Sequence, residues 1–345
     1  MTKRTRGFLF VATGILVAGL GTGLVAAYMG GIQNLVLIGG NGPAELEYVP
    51  SDARLIAYAD VRQVMDSELR QKLMKLQPGS ADGADKLKAE TGIDIQTDVD
   101  KVLASVSGDD IAANQRPLLL IRGRFSNTSL ESLAREKGGV VEEYKGRRLI
   151  AHAESGMGLA FIEPGLIGVG THDALRRAID TKAGDTNITD NAEIMHLLKN
   201  VDDGNAWAVA RFDALTGGQQ LPPDLAKQLP PINWFAASGQ IDAGVRGLIQ
   251  AEARDEAAAT NLRDVIRGFI ALARMQTGQR AEFADLMNSL QLGGEGNTVS
   301  LGFAVPPEMI DALGAMHAAR PRLPERGLAP NQAPRRPLPP PAPAL

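Results

Sequence analysis

The sequence predicts an α+β protein with two degenerate repeats of mainly antiparallel sheet packed with amphipathic helices, preceded by one N-terminal transmembrane helix. Three observations indicate this fold. No charged residue occurs from Gly7 to Ala44. Short alternating segments are joined by glycine-containing turns, as in β-hairpins. The order of predicted strands and helices also recurs in the second part of the chain, which is typical of an internal duplication.

The first predicted element is a transmembrane helix over residues 7–29, after a cytoplasmic segment at residues 1–6. The apolar stretch Phe8 to Met29 exceeds the ~20 residues that cross a ~30 Å hydrocarbon core. The basic residues precede it, and the first charges after it are Glu45 and Glu47. The positive-inside rule then places the body in the periplasm or another extracytoplasmic space, held by a single-pass anchor in the cytoplasmic (inner) membrane.

A cleaved signal peptide is the alternative for this segment, because Val25, Ala26 and Ala27 place small residues at suitable positions for cleavage. The uncleaved anchor is favoured, since signal-peptide cores span only about 7–15 apolar residues. Gly19, Gly23 and Ala27 follow a small-xxx-small spacing that lets two membrane helices approach closely. They predict a homodimer contact within the membrane, although glycine is also common in membrane helices generally.

Composition excludes several classes of function. Aromatic residues make up only 4% of the 345 residues, and the formal net charge is −4. Neither value suits nucleic-acid binding, which favours basic stripes interleaved with aromatic residues. The chain has no cysteine, so it can form no disulfide, thiolate nucleophile or cysteine-based metal site.

Residues 30–49 are rich in glycine and predict a linker, and residues 50–200 predict the first extracytoplasmic half. This half opens with a strand followed by helices and a second strand. It continues with two hairpins, turning at Lys145-Gly146 and at residues 163–165. The predicted strands are 54–60, 117–125, 140–144, 147–153, 158–162 and 166–170, and the predicted helices are 61–76, 84–89, 97–106, 126–137 and 172–181.

Residues 201–319 predict a second half with a similar order of elements. Its opening strand, with Ala208-Val209-Ala210-Arg211-Phe212, echoes Ala57-Tyr58-Ala59-Asp60-Val61. A hairpin follows at 234–242 and 244–254, and its second strand leads into a long helix. That helix, residues 256–275, carries one apolar stripe at helical spacing, formed by Leu262, Val265, Ile266, Phe269, Ile270 and Ala273. The remaining predicted elements are a helix near 283–290, a strand at 298–305 and a helix at 308–318.

The tail at residues 320–345 predicts a disordered or polyproline II segment, because proline is frequent and hydrophobic periodicity is absent. The alternative is a spacer or docking segment that contacts an anionic envelope polymer or a membrane surface. The basic residues available for that role are Arg320, Arg322, Arg326, Arg335 and Arg336.

No residue pattern requires a particular chemistry, so we predict no catalytic residue, no cofactor and no metal site. The histidines His152, His172, His196 and His317 lack the spacing of zinc ligands. The acids Asp94, Asp98 and Asp100 lack the glycine and the bidentate glutamate of an EF-hand, and they predict helix capping instead. The glycine-rich stretch 293–297 precedes a strand and predicts a turn.

Four phrases together suggest a known group of proteins: VPSDARLIAYADVRQVMDSELRQKL, TGIDIQTDVDKVLA, EYKGRRLIA and FIEPGLIGVGTHDALRRAID. The chain resembles uncharacterised membrane-anchored envelope proteins of acidobacterial type, over about residues 45–318. The resemblance implies an envelope topology and brings no functional residue with it.

The leading functional hypothesis is a non-catalytic extracytoplasmic module that binds an envelope protein or assists an assembly. The alternative is a carrier of a lipid or another apolar ligand, and an envelope hydrolase is third. A large apolar cavity would favour the carrier, whereas a filled core with an exposed apolar patch would favour partner binding.

Overall fold

A computed structural model describes residues 43–76, 82–108, 116–152, 156–199, 201, 204–212, 230–277 and 284–309. The predicted anchor at 7–29, with its packing residues Gly19, Gly23 and Ala27, lies outside these residues, as does the tail. Among the helices within the described ranges, none combines the length and apolarity needed to cross a bilayer.

The described chain is α+β, with twelve strands, nine α-helices and two 3-10 helices. The strands are β1 Ala53–Asp60, β2 Val99–Ser107, β3 Arg116–Gly123, β4 Val140–Tyr144, β5 Arg147–His152, β6 Met157–Glu163, β7 Leu166–Thr171, β8 Ala206–Arg211, β9 Ile232–Ile241, β10 Val245–Ala253, β11 Gln291–Gly293 and β12 Thr298–Val305. The α-helices are α1 Val61–Asp66, α2 Glu68–Leu76, α3 Asp82–Thr91, α4 Ile95–Asp98, α5 Asn127–Glu136, α6 His172–Ala183, α7 Ala192–Lys199, α8 Glu256–Thr277 and α9 Ala284–Ser289, and the 3-10 helices are Ala44–Tyr48 and Ile188–Asp190.

All twelve strands form one antiparallel sheet in the order β11-β12-β10-β9-β8-β1-β2-β3-β7-β6-β5-β4. The prediction of an α+β protein with a mainly antiparallel sheet is confirmed. Outward from the central β1–β8 pair, each side of the sheet has three consecutive strands followed by a later one. The order is β1-β2-β3-β7 on one side and β8-β9-β10-β12 on the other. Ala57 lies directly opposite Ala208 in that central pair, so the two segments that echo each other in sequence are neighbours in space.

The two faces of the sheet are covered by different helices. One face, which we call the α6 face, packs against α6, α7 and both 3-10 helices. Its core includes Leu103, Leu120, Trp207 and Trp234, so both predicted halves contribute to one continuous core. The other face, the α8 face, is covered in the first half by α1, α3, α4 and α5, and in the second half by α8 and α9.

Residues 97–106 were predicted to be helical, and this prediction is wrong. A single helical turn, α4, ends at Asp98 and is capped by Asp94, whose carboxylate accepts from the Gln96 amide at 2.9 Å. Strand β2 then begins at Val99. Because β2 lies between β1 and β3 and both of its faces are largely buried, it lacks the alternation of a half-exposed strand, and its apolar spacing also fits a helix.

The helix predicted at 61–76 is two helices, α1 and α2, separated at Ser67. The Ser67 hydroxyl donates to the Val64 carbonyl at 2.6 Å and accepts from the Arg70 amide at 3.2 Å. One side chain thus satisfies backbone groups at the end of the first helix and the start of the second.

The C-terminal end of the predicted 30–49 linker belongs to the folded unit. The 3-10 helix Ala44–Tyr48 packs on the α6 face, where Leu46 and Val49 are fully buried. The sequence missed this because the glycine-rich composition of residues 30–42 dominates the segment.

The predicted hairpin turn at Lys145-Gly146 is confirmed. Lys145 has φ 49° and Gly146 has φ 75°, and two consecutive residues with positive φ are the signature of a type I′ turn. This turn matches the twist of β4 and β5 and fixes their register, with Tyr144 opposite Arg147.

Asn205 connects β8 to β9 through its buried side chain. The Nδ2 group donates to the Ile241 carbonyl at 2.7 Å, and Oδ1 accepts from the Ile241 amide at 2.9 Å. We expect Asn205→Ala to lower the free energy of unfolding by about 2 kcal/mol, because two backbone groups are left without partners. Urea denaturation measures this, and a loss below about 0.5 kcal/mol would mean that water replaces the amide.

Candidate functional site

Helix α8 runs along the second half of the sheet from one row of strand ends to the other. We call the row with Asp60, Arg122, Ile241 and Val305 the entry rim, and the row with Ala53, Ser107, Ala253 and Thr298 the opposite rim. Both rows follow from the strand register. The helix starts three residues after Ala253, at the opposite rim.

The N-terminal part of α8 is firmly packed. Asp255 caps it by accepting from the Ala258 amide at 2.8 Å. Ala259 and Leu262 pack against Ala251 and other apolar residues of β9, β10 and β12. The Arg263 guanidinium donates to the Gly296 and Thr298 carbonyls, each at 2.9 Å, which ties the helix to the β11–β12 turn.

The C-terminal part of the same helix exposes its apolar face. Phe269 lies seven residues after Leu262, hence on the same side of the helix two turns later. Leu262 is 4% exposed, whereas Phe269 is 52% exposed, Leu272 55% and Met275 79%. We call Phe269, Leu272 and Met275 the α8 stripe. Of the predicted apolar stripe of this helix, Leu262 is buried, Ile270 and Ala273 are half-buried and Phe269 is exposed, whereas Leu272 and Met275 were not part of that prediction.

Helix α9 explains why the sheet does not cover the stripe. Its Leu286 packs with Ile241, Val245 and Val305 at the entry rim and occupies the sheet face there. The Arg274 guanidinium donates to the Met287 carbonyl at 3.2 Å, so the last turns of α8 lie beside α9. The α8 stripe consequently ends near the entry rim without a sheet beneath it.

The charged residues in the exposed turns of α8 are basic, and both have partners: Arg267 pairs with Asp264 at 2.9 Å, and Arg274 donates to the Met287 carbonyl. After Asp264, the helix contains Arg267 and Arg274 and no acidic residue. These arginines are seven residues apart and share one side of the helix, roughly opposite the stripe.

The centre of the α8 face is lined by small side chains. Ala104, Ala57, Ala208 and Ala237 lie side by side across β2, β1, β8 and β9. Ala57 and Ala104 are buried, at 4% and 5% exposed, whereas Ala208 and Ala237 are half-buried.

A network of ion pairs holds the start of the described chain at the entry rim. Arg122 contacts both Glu45 and Glu163, and Glu45 is only 4% exposed. The Tyr48 hydroxyl donates to Glu163 at 3.0 Å. The hydrogen bond from Arg122 lowers the pKa of the Glu163 carboxyl. This network holds the 3-10 helix Ala44–Tyr48 at the entry rim.

Burial, together with the hydrogen bond to Glu163, raises the pKa of Tyr48 to about 12 from an ordinary value of 10.0. Above pH 10 the Tyr48 hydroxyl loses its proton in the unfolded chain before it does so in the folded chain. The stabilisation of the fold by the protonated Tyr48 hydroxyl is therefore complete below pH 10 and is lost as the pH rises towards 12. We therefore expect the stability of the wild type to fall more steeply than that of Tyr48→Phe across this range. Urea titrations at several pH values measure the difference, and parallel curves would contradict the prediction.

The polar residues considered in the sequence do not converge on a site. His172 pairs with Glu142 at 2.5 Å, and Arg176 also donates to Glu142. His152 contacts the Lys137 carbonyl at 3.0 Å, and His317 lies outside the described residues. Asp94 caps α4, as the capping interpretation predicted, and Asp100 pairs with Arg62. Within the described ranges, no cluster of three or more His, Asp or Glu side chains could hold a metal ion.

A small open cleft lies beside Trp234. It has a volume of about 220 Å³ and is lined by Glu193, Arg211, Phe212, Ile232 and Asn233 as well as the indole. The indole N–H already donates to Glu193 at 2.5 Å, and Arg211 lies over the ring at 5.8 Å. Ligand pockets are commonly ~300–1,000 Å³, so this cleft is small for a substrate.

No protein-family model matches the sequence, and no curated protein matches it. Among solved structures, crystal forms I and IV of TP0453 are similar to the chain, with TM-scores of 0.45 and 0.44 and identities of 10% and 11%. The matches cover 79% and 78% of this chain and 96% of each TP0453 chain.

Proposed function

We propose that the protein is a non-catalytic binding module, anchored in the cytoplasmic membrane by residues 7–29 with its body outside the cytoplasm, and that the α8 stripe is its binding surface. One observation carries the proposal. A single side of α8 is buried at Leu262 and open at Phe269, two turns later. An apolar side that continues beyond its own core is the surface a binding partner would cover.

Energetics supports the stripe as a binding surface. Covering the exposed part of the three side chains, roughly 100 Å² of apolar surface each, would contribute about 2–3 kcal/mol per residue at ~25 cal/mol per Å². The large core side chains, by contrast, are already packed: Trp207, Leu103 and Phe303 are each at most 2% exposed. The described core is thus filled, and the apolar surface left for binding lies outside it.

The proposal also includes an internal duplication, in which the two halves of the sheet are copies of one structural unit. The matched strand orders around the β1–β8 pair support it. In the second unit, α8 takes the place of α5 after the third strand, but it has 22 residues where α5 has 10. The stripe therefore occupies the extra length by which the second unit departs from the first.

A second candidate function is the carriage of a lipid or another apolar ligand. The neighbouring residues Ala208 and Ala237 on the α8 face favour it, because both short apolar side chains are only half-buried. A ligand held there would contact Ala208 and Ala237, while the α8 stripe would remain exposed to solvent. The two functions therefore predict different contact residues.

Site-specific photo-crosslinking in native membranes tests the proposal. The photoreactive residue p-benzoylphenylalanine replaces Leu272 in one variant. In the matched control it replaces Val140, which is also apolar and 65% exposed but lies in edge strand β4 at the opposite rim. We expect a discrete adduct at position 272 and none at position 140. Absence of any adduct at position 272, or equal adducts at both positions, would overturn the assignment of the stripe.

A further inference from the structure

We infer that the α8 stripe docks on the surface of the lipid bilayer that holds the chain's own N-terminal segment. This inference rests on the proposed function and names the occupant of the same surface. It follows from where the folded unit begins, from the chemistry of α8 and from the size of the stripe.

The chain enters the fold at the rim where the stripe ends. Glu45 contacts Arg122 at the end of β3, and α8 approaches Leu286 beside Val305 at the same rim. Five strand spacings of ~4.8 Å separate β3 from β10, roughly 25 Å. Residues 30–42 can extend to about 45 Å at ~3.5 Å per residue. A span ending near residue 29 therefore keeps the end of α8 within reach of the bilayer.

The exposed turns of α8 suit a bilayer boundary. Exposure increases along the helix, from Phe269 through Leu272 to Met275. These residues occupy about 9 Å of helix at 1.5 Å per residue, so they form a short apolar patch at the end of α8. Arg267 and Arg274 lie on the other side of the helix, where Arg267 pairs with Asp264 and Arg274 donates to the Met287 carbonyl, so the exposed turns meet a bilayer with their apolar side chains alone.

A second copy of the chain is a poorer fit for the stripe. Three partly exposed side chains offer roughly 300 Å² of apolar surface, given ~200 Å² for a large side chain. A stable protein interface buries about 800 Å² on each partner. A bilayer requires no matching protein surface, because apolar residues are covered wherever the helix enters it.

The test uses the full-length chain in vesicles of phosphatidylethanolamine with a minority of phosphatidylglycerol. Because the chain has no cysteine, Leu272→Cys and Met275→Cys each provide a single site for the environment-sensitive dye NBD. Val140→Cys is the matched control. We expect blue-shifted NBD emission at 272 and 275, quenched by lipids that carry a nitroxide near the headgroup, and unquenched emission at 140.

A Phe269→Glu change in the Met275→Cys protein should remove the quenching, since a carboxylate would have to enter the apolar layer. Unquenched emission at 272 and 275 would overturn the bilayer as occupant. If Leu272 still formed a protein adduct in native membranes, the proposed function would stand with a protein or a second copy as the partner. If it formed no adduct, both the inference and the proposed function would fall.

Discussion

Replacing Trp207 by alanine is expected to lower the free energy of unfolding by about 4 kcal/mol, the largest effect of any single change considered for this protein. Trp207 is 2% exposed in β8 and stacks on Tyr58 of β1, with ring centroids 5.5 Å apart. These two strands join the halves of the sheet. The change removes both a large buried volume and an aromatic pair from the centre of the shared core.

Urea denaturation followed by circular dichroism measures this loss, and Trp207→Phe is the matched control. The indole N–H finds no acceptor among the described residues, so phenylalanine removes volume without breaking a hydrogen bond. We expect Trp207→Phe to lose less than half as much stability as Trp207→Ala. Separate transitions for the two halves in the wild type would show that they do not share one cooperative core.

The second large effect contrasts two leucines of α8. Leu262→Ala should cost about 3 kcal/mol of stability, because Leu262 is 4% exposed and packs against Ala251 and Val299. Leu272→Ala removes the same atoms from the same helix but should change stability by less than about 0.5 kcal/mol, since Leu272 is 55% exposed.

Thermal and urea unfolding of the two variants, purified under the same conditions, give this comparison directly. A loss of stability at Leu272 comparable with that at Leu262 would place the stripe in the core and remove the reason to regard it as a binding surface. Similar small losses at both positions would mean that α8 does not pack on the sheet as described.

Local patterns were sufficient to predict much of the fold. The Lys145-Gly146 turn, the hairpin of β6 and β7, and the helix predicted at 126–137 depend on residues close in sequence, and each is confirmed. Strand β2 was mistaken for a helix because its identity depends on being enclosed by β1 and β3. The partner of β1 on its other side, β8, lies about 150 residues later, a distance at which periodicity gives no information.

The candidate site shows the same limit. The sequence correctly indicated an amphipathic helix over most of α8, including Phe269 in its apolar stripe. It could not indicate that the stripe is covered at Leu262 and open at Phe269, because this depends on α9 occupying the sheet face at the entry rim. Length gave no signal either, because the 22 residues of α8 span about 33 Å and the nine residues of β10 span about 30 Å.

The most direct test of the central claim is the accessibility of position 272 in the native envelope. Leu272→Cys and Val140→Cys, each the single cysteine of its chain, are treated with a membrane-impermeant maleimide in intact membranes and again after the isolated protein is unfolded. A binding surface on α8 predicts that Cys at 272 is strongly protected in the membrane while Cys at 140 reacts freely, and that both react equally once the chain is unfolded. Equal, rapid labelling of both positions in intact membranes would show that nothing covers the α8 stripe and would contradict the proposed function.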